Sequence, residues 1–144
     1  MITVLLVRHA DVDRPSASAN PPLNPFGQRR AEDLARAVGA AGIASLFTSS
    51  MLRTQMTVEP LAKRLGVVPR LAPVPAAFAQ QVLSGSEGAV VLVAGHSNTV
   101  PAMIAALRGA PVEIDEREFD NLFVVAIHRL DEVSVLQLKY GAPS

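Results

Sequence analysis

At 144 residues, 49% of them hydrophobic, the chain has enough apolar material for a packed core. It contains no cysteine, which excludes disulfide staples, thiolate metal sites and thiol nucleophiles. Thirteen basic and thirteen acidic residues cancel and no block of like charges runs along the chain, so the broad electrostatic signature of a nucleic-acid or membrane-surface protein is missing and any anion site must be local.

Ile2 to Val7 is a continuous apolar run, the pattern of a strand covered on both faces. It is too short for a secretion signal and lacks the basic start, and no apolar run approaches bilayer-spanning length, so a cytoplasmic protein is expected. Asp13 to Pro25 is rich in small residues and proline and reads as a loop over the crevice. Asn24-Pro25 then supplies a helix cap and first-turn proline, Ala31, Leu34, Ala35 and Val38 recur at helical spacing, and Gly39 and Gly42 close the helix. Ser45 to Thr48 is a short strand candidate. A helix is expected from about Met51 to Leu65, with Leu52, Met56, Leu61, Ala62 and Leu65 inward and Pro60 removing one backbone donor. Pro69 to Gly88 reads as a second loop. Ala89 to Ala94 repeats the buried-strand pattern. Val100, Met103, Ile104 and Leu107 mark another helix, with Asn98 or Thr99 as cap and Pro101 in its first turn. Leu122 to Ile127 and Val133 to Leu138 form a closing hairpin around Asp131-Glu132. Strands alternating with helices predict an α/β fold of one domain over residues 1–144, a three-layer α/β/α sandwich, mostly parallel with an antiparallel edge.

The chemistry concentrates where the two buried strands stop. Leu6-Val7-Arg8-His9-Ala10 and Gly95-His96-Ser97-Asn98-Thr99 each place a histidine at the carboxyl end of a strand, the edge at which open α/β sheets bind ligands. Phosphoryl transfer to a side chain needs a nucleophile in line with phosphorus and cations around the equatorial oxygens. A neutral imidazole can attack at physiological pH without a separate base. Arg8 and Arg53 offer planar forks that bind phosphate oxygens in pairs. His96, Ser97 and Asn98 sit where a helix start favours an anion.

Arg8-His9-Ala10, Leu23-Asn24-Pro25-Phe26-Gly27, the segment Thr48 to Thr57 around Arg53, and Gly95 to Thr99 together resemble the histidine phosphatase (phosphoglycerate mutase-like) superfamily, in its order. The chain is similar to its short phosphohistidine-phosphatase-like branch, because it has no room for the insertions of the mutases. The resemblance implies that His9 is phosphorylated and that Arg8, Arg53 and His96 clamp the phosphoryl group. It also implies a metal-independent phosphoric monoester hydrolase without a cofactor, whose partner is a phosphorylated small molecule or a phosphohistidine-bearing protein; the balanced charge adds the expectation of no nucleic acid and no membrane. Ala10 stands where the family usually has glycine, a change that short members share.

Larger members protonate the leaving group with a glutamate between the second arginine and the second histidine. Here Glu59 reads as a solvated helix carboxylate and Glu87 lies before a strand, away from its catalytic end. Asp11, two residues past His9, is the best-placed donor by sequence, with Asp13 behind it. A weak donor favours aryl phosphates, anhydrides and phosphohistidine, whose leaving groups need less protonation than an alkoxide.

Each feature alone has a plain structural explanation. An Arg-His pair after a strand is most often a loop edge, and Arg53 could simply cover a helix face with its head solvated. Ordered joint occurrence is what favours the site. Ser97 lacks the second glycine of a nucleophile elbow, and His9, His96 and His128 lack zinc-motif spacing. A phosphate-binding regulatory module of low activity and a phosphoglycerate mutase-like phosphotransferase are the alternatives, the latter needing a lid against water that a chain this short does not suggest.

Overall fold

The computed structural model describes residues 1–144. Ten elements follow one another as β1 (Ile2–Arg8), α1 (Pro25–Val38), β2 (Ser45–Thr48), α2 (Leu52–Leu65), β3 (Arg70–Leu71), α3 (Pro75–Leu83), β4 (Val90–Gly95), α4 (Thr99–Ala106), β5 (Asn121–Arg129) and β6 (Glu132–Lys139). One sheet of order β3-β2-β4-β1-β5-β6 carries them. The first four strands in that order are parallel, and β5 and β6 form the antiparallel edge.

Strand alternation divides the core into two layers. Val4 and Leu6 of β1 and Val91 and Val93 of β4 face one side, where they pack with Phe78 and Val82 of α3 and Met103 and Ile104 of α4. Leu5 and Val7, with Leu92 and Ala94, face the other, against Leu34 and Val38 of α1 and Val58 and Leu61 of α2. Both faces of the central strands are therefore dry, which is why their sequences are apolar without alternation. The sandwich expected from the sequence is the architecture found.

α1 starts as expected: the Asn24 side chain accepts from the Gly27 N–H at 2.9 Å, Pro25 occupies the first turn, and the helix ends at Gly39. α2 runs unbroken through Pro60 and stops at Gly66, whose φ of 67° suits a residue without Cβ. Its buried face differs from the expected one: Thr54 and Thr57 point inward with Val58 and Leu61, whereas Leu52 is exposed. The stretch from Pro69 to Gly88 is not a loop. It holds β3 and α3, and Phe78, Ala79 and Val82 of α3 are core residues.

Chain direction makes the crevice. β1 and β4 are neighbours in parallel register, with Arg8 opposite Gly95. From their adjacent carboxyl ends the chain proceeds to α1 on one face and α4 on the other, leaving a gap between the two departing segments. No helix of the chain is long and apolar enough to cross a membrane.

Candidate active site

His9 and His96 are the first residues past the paired ends of β1 and β4. The His9 N–H donates to the Gly95 carbonyl at 2.8 Å, carrying the ladder one step beyond the strands. The two imidazole centroids are 5.4 Å apart with planes tilted by 59°. His9 is 1% exposed. Its Nδ1 lies 2.8 Å from the Ala10 carbonyl, and because a carbonyl can only accept, Nδ1 carries the proton and Nε2 keeps its lone pair. Burial first, and then the nearby Arg8, Arg53 and His96, push the His9 pKa from 6.5 down to about 3, against an opposing contribution from the Ala10 bond. His96 is lowered too, by burial and by Arg53, Arg8 and Arg14. Both rings are neutral at pH 7.

Arg8 is 4% exposed. Its Nη1 donates to the carbonyls of Glu116 and Glu118, both at 2.8 Å, and to that of Asp115 at 3.5 Å. Its guanidinium lies over the Phe119 ring, 4.2 Å from the centroid. Phe119 also meets the His9 ring at 5.9 Å, so the loop between α4 and β5 walls the site. Arg53 projects from the first turn of α2. Arg8 Nε and Arg53 Nε and Nη1 are buried without a hydrogen-bond acceptor. Leaving a buried donor unsatisfied costs about 1–3 kcal/mol, more when the group is charged. Two guanidiniums beside two neutral imidazoles therefore present donors that an incoming oxyanion would satisfy.

The inward threonines of α2 hold this arrangement. Thr57 Oγ1 accepts from the Ala10 N–H at 2.8 Å and donates to the Arg53 carbonyl at 2.7 Å, which fixes the turn after His9 against the helix that carries Arg53. Thr54 Oγ1 lies 2.8 Å from Ser49 Oγ, and Ser49 Oγ lies 2.8 Å from His96 Nε2. That contact leaves His96 Nδ1 as the ring nitrogen free for a ligand. Thr99 Oγ1 accepts from the His96 N–H at 2.9 Å. Sequence reasoning gave no role to Ser49, Thr54, Thr57 or Phe119. The two threonines interrupt an otherwise apolar helix face, which was a readable signal, whereas Phe119 carries none.

Asp11, the proton donor expected from the sequence, sits in an ion pair. Both its oxygens accept from the buried Arg30 of α1, Nε to Oδ1 at 2.7 Å and Nη2 to Oδ2 at 3.5 Å. Arg30 Nη1 also donates to the Tyr140 and Ala142 carbonyls, so Asp11 belongs to a clasp between the His9 turn, α1 and the chain end. Gly27 permits that approach, since a Cβ there would lie 2.2 Å from the Asp11 carbonyl. Ser97 and Asn98 line a cleft of about 610 Å³ with Pro101, Ile114 and Glu118, and the Asn98 side chain makes no capping bond. Glu59 pairs with Lys63 at the surface. Glu87 is buried beside Ser45, at the amino end of β2 and so at the opposite sheet edge, where Ser45, Arg70 and Gln81 donate to its carboxylate. Past β3, residues Ala72 to Val74 contain no carboxylate. No three or more histidine, aspartate or glutamate side chains gather in a way that could hold a metal ion.

The family profile of the histidine phosphatase superfamily (branch 1) matches residues 4–74, the stretch that carries Arg8, His9 and Arg53. Over that stretch, 71 of the 144 residues, the chain resembles the histidine phosphatase superfamily. Solved structures share its fold along its whole length. The protein histidine phosphatase SixA complexed with tungstate superposes with a TM-score of 0.77 at 20% identity, covering 96% of this chain and 97% of that one. A mycobacterial glucosyl-3-phosphoglycerate phosphatase complexed with inorganic phosphate gives 0.71 at 13% identity, with 99% and 98% covered. A SixA-type phosphohistidine phosphatase candidate from Agrobacterium tumefaciens gives 0.70 at 17%, with 98% of each covered. Among curated proteins, the PE-PGRS family protein PE_PGRS11 of Mycobacterium tuberculosis is 41% identical over 59 residues, 40% of this chain. The match spans only 10% of that relative's length.

Proposed function

We propose that this chain is a phosphatase of the histidine phosphatase superfamily that hydrolyses a phosphomonoester or phosphohistidine through a covalent phosphohistidine on His9, with Arg8, Arg53 and His96 binding the phosphoryl group. One observation carries the reading: a buried neutral imidazole with its Nδ1 proton committed to Ala10 lies beside guanidinium donors that have no acceptor. Its free Nε2 is the nucleophile. In the first step the Nε2 lone pair forms a bond to phosphorus while the bond to the leaving group breaks and that group departs with the electron pair. Arg8 and Arg53 meet the charge on the equatorial oxygens, and the free nitrogen of His96 faces the same group. In the second step water attacks phosphorus, the bond to Nε2 breaks, and phosphate leaves with His9 restored. Neither step calls on a metal ion or cofactor.

The tie of Asp11 to Arg30 and the absence of a carboxylate after β3 support leaving groups that depart without strong protonation. Aryl phosphates and phosphohistidine fit, and simple alkyl esters fit poorly. That the neighbouring folds include a protein histidine phosphatase and a phosphatase of a phosphorylated sugar acid supports either a protein or a small-molecule partner. The test uses phenyl phosphate labelled in its phosphoryl group, with an alkaline quench because phosphohistidine is labile in acid. Label on the wild-type chain, none on His9→Ala, and a steep fall of kcat/KM with rising leaving-group pKa are expected. Tight phosphate binding with no labelled protein would overturn the reading in favour of a binding module.

A further inference from the structure

The loop from Asp13 to Pro21 and the Arg53 side chain line a recess of about 280 Å³. Arg14 lies in its wall and also lines an adjoining cleft of about 520 Å³ with Val12, Asp115, Glu116, Arg117 and Phe119. Arg14 thus stands between the recess at Arg53 and the aromatic wall that covers Arg8 and His9. Its side chain is exposed and takes part in no hydrogen bond or ion pair, whereas Arg30, Arg70 and Arg129 each hold a carboxylate. The Arg14 charge is felt at Arg8, Arg53 and His96.

Charge counting says what such a residue could do. A phosphomonoester dianion brings two negative charges, Arg8 and Arg53 bring two positive ones, and the neutral imidazoles bring none. Arg14 is a third cation beside that set; of the carboxylates in the same walls, Asp13 accepts from Asn24 and Asp115 pairs with Arg117, and neither they nor Glu116 pairs with Arg14. A guanidinium repelled by Arg8 and Arg53 and held by no carboxylate keeps its N–H donors free when a simple phosphate occupies the site. A second oxyanion on the substrate would satisfy those donors. A planar guanidinium on an open loop is suited to receive one, since it binds a carboxylate or phosphate through paired N–H donors.

We infer that Arg14 is a specificity-determining residue that receives a second oxyanion carried by the leaving group, so that the preferred substrate is a phosphorylated compound bearing a further carboxylate or phosphate near the scissile bond. The inference rests on His9 being the phosphorylated nucleophile. The recess beside Arg53 and the cleft beside Phe119 are the two places where that group would lie, with Arg14 reaching into both.

The experiment compares 3-carboxyphenyl phosphate with 3-carbamoylphenyl phosphate, esters of the same shape that differ by one negative charge. Each is measured on the wild type, Arg14→Gln, Arg14→Lys and His9→Ala. The readout is the ratio of kcat/KM for the two esters, which cancels their different intrinsic reactivities between variants. Losing one charge-assisted contact predicts that Arg14→Gln lowers the carboxylate preference about tenfold, chiefly through KM. Arg14→Lys keeps most of the preference, and raised salt shrinks it in the wild type but not in Arg14→Gln. An unchanged ratio in Arg14→Gln, or both esters falling by the same factor, overturns the inference while leaving the His9 reading intact. Undiminished cleavage by His9→Ala overturns the His9 reading and takes the inference with it.

Discussion

The His9 ring makes a quantitative demand on stability. In the unfolded chain its pKa is the ordinary 6.5, and in the folded chain it is about 3. The folded state therefore binds fewer protons between those two values, and stability must fall as pH falls through that window. Summing both protonation equilibria gives a loss of about 2 kcal/mol between pH 7 and pH 5 from His9 alone. His96, displaced in the same direction, adds to it. The carboxylates held below their ordinary values, Glu87, Asp115, Glu118 and Asp120, lose their contributions at lower pH, so the interval from 7 to 5 isolates the imidazoles. The assay is urea unfolding at pH 7, 6 and 5 on the wild type and on His9→Asn, whose amide can still donate to Ala10. The variant should lose about 2 kcal/mol less than the wild type over that interval, whatever its absolute stability. Saturating tungstate or phosphate should flatten the wild-type curve, because an anion beside the rings favours their charged form. Equal slopes in wild type and His9→Asn, or a His9 ring that titrates near 6.5 by NMR, would refute the burial argument and with it the free lone pair at neutral pH.

Three further outcomes follow from individual contacts. Arg53→Met removes buried donors that lack acceptors, so it should raise stability by about 1 kcal/mol while abolishing retention of phosphate, read by urea unfolding and calorimetric titration. Glu87→Ala strips a buried carboxylate from Ser45, Gln81 and Arg70, and a loss of about 2–3 kcal/mol should appear in urea unfolding with kcat on an aryl phosphate unaltered, because this network lies at the opposite sheet edge. Tyr140 has a buried hydroxyl without a partner, and burial raises its pKa, so Tyr140→Phe should raise the melting temperature, by an amount equivalent to about 1 kcal/mol.

What could be read from the residues was local or doubly marked. The two central strands were legible because both faces are buried and leave an apolar run that needs no context. α1 was legible from its cap and its proline. The positions of His9 and His96 followed from where those runs ended, and their adjacency from the rule that ligand sites gather at strand carboxyl ends. α3 was hidden because nine residues flanked by Pro73, Ser84 and Gly85 look like a loop, and only the core around Phe78 reveals the helix. The partners of Asp11 and His96 were illegible for another reason: Arg30 and Ser49 are 19 and 47 residues away from them. Nearness of Asp11 to His9 along the chain says nothing about which cation reaches it first across the fold.

The ladder between β1 and β4 pairs Arg8 with Gly95 and continues through the His9 N–H. The separation of the two imidazoles is thereby pinned to the spacing of adjacent strands, about 4.8 Å, rather than to any flexible arm. Under the proposed chemistry, the two imidazoles are set by the same rigid lattice that forms the core, and changes confined to the exposed residues 14–20 would alter which molecules gain entry while sparing the bond-breaking step. A scaffold of this kind separates choice of cargo from catalysis, so new specificities can be grafted onto its rim without rebuilding its floor.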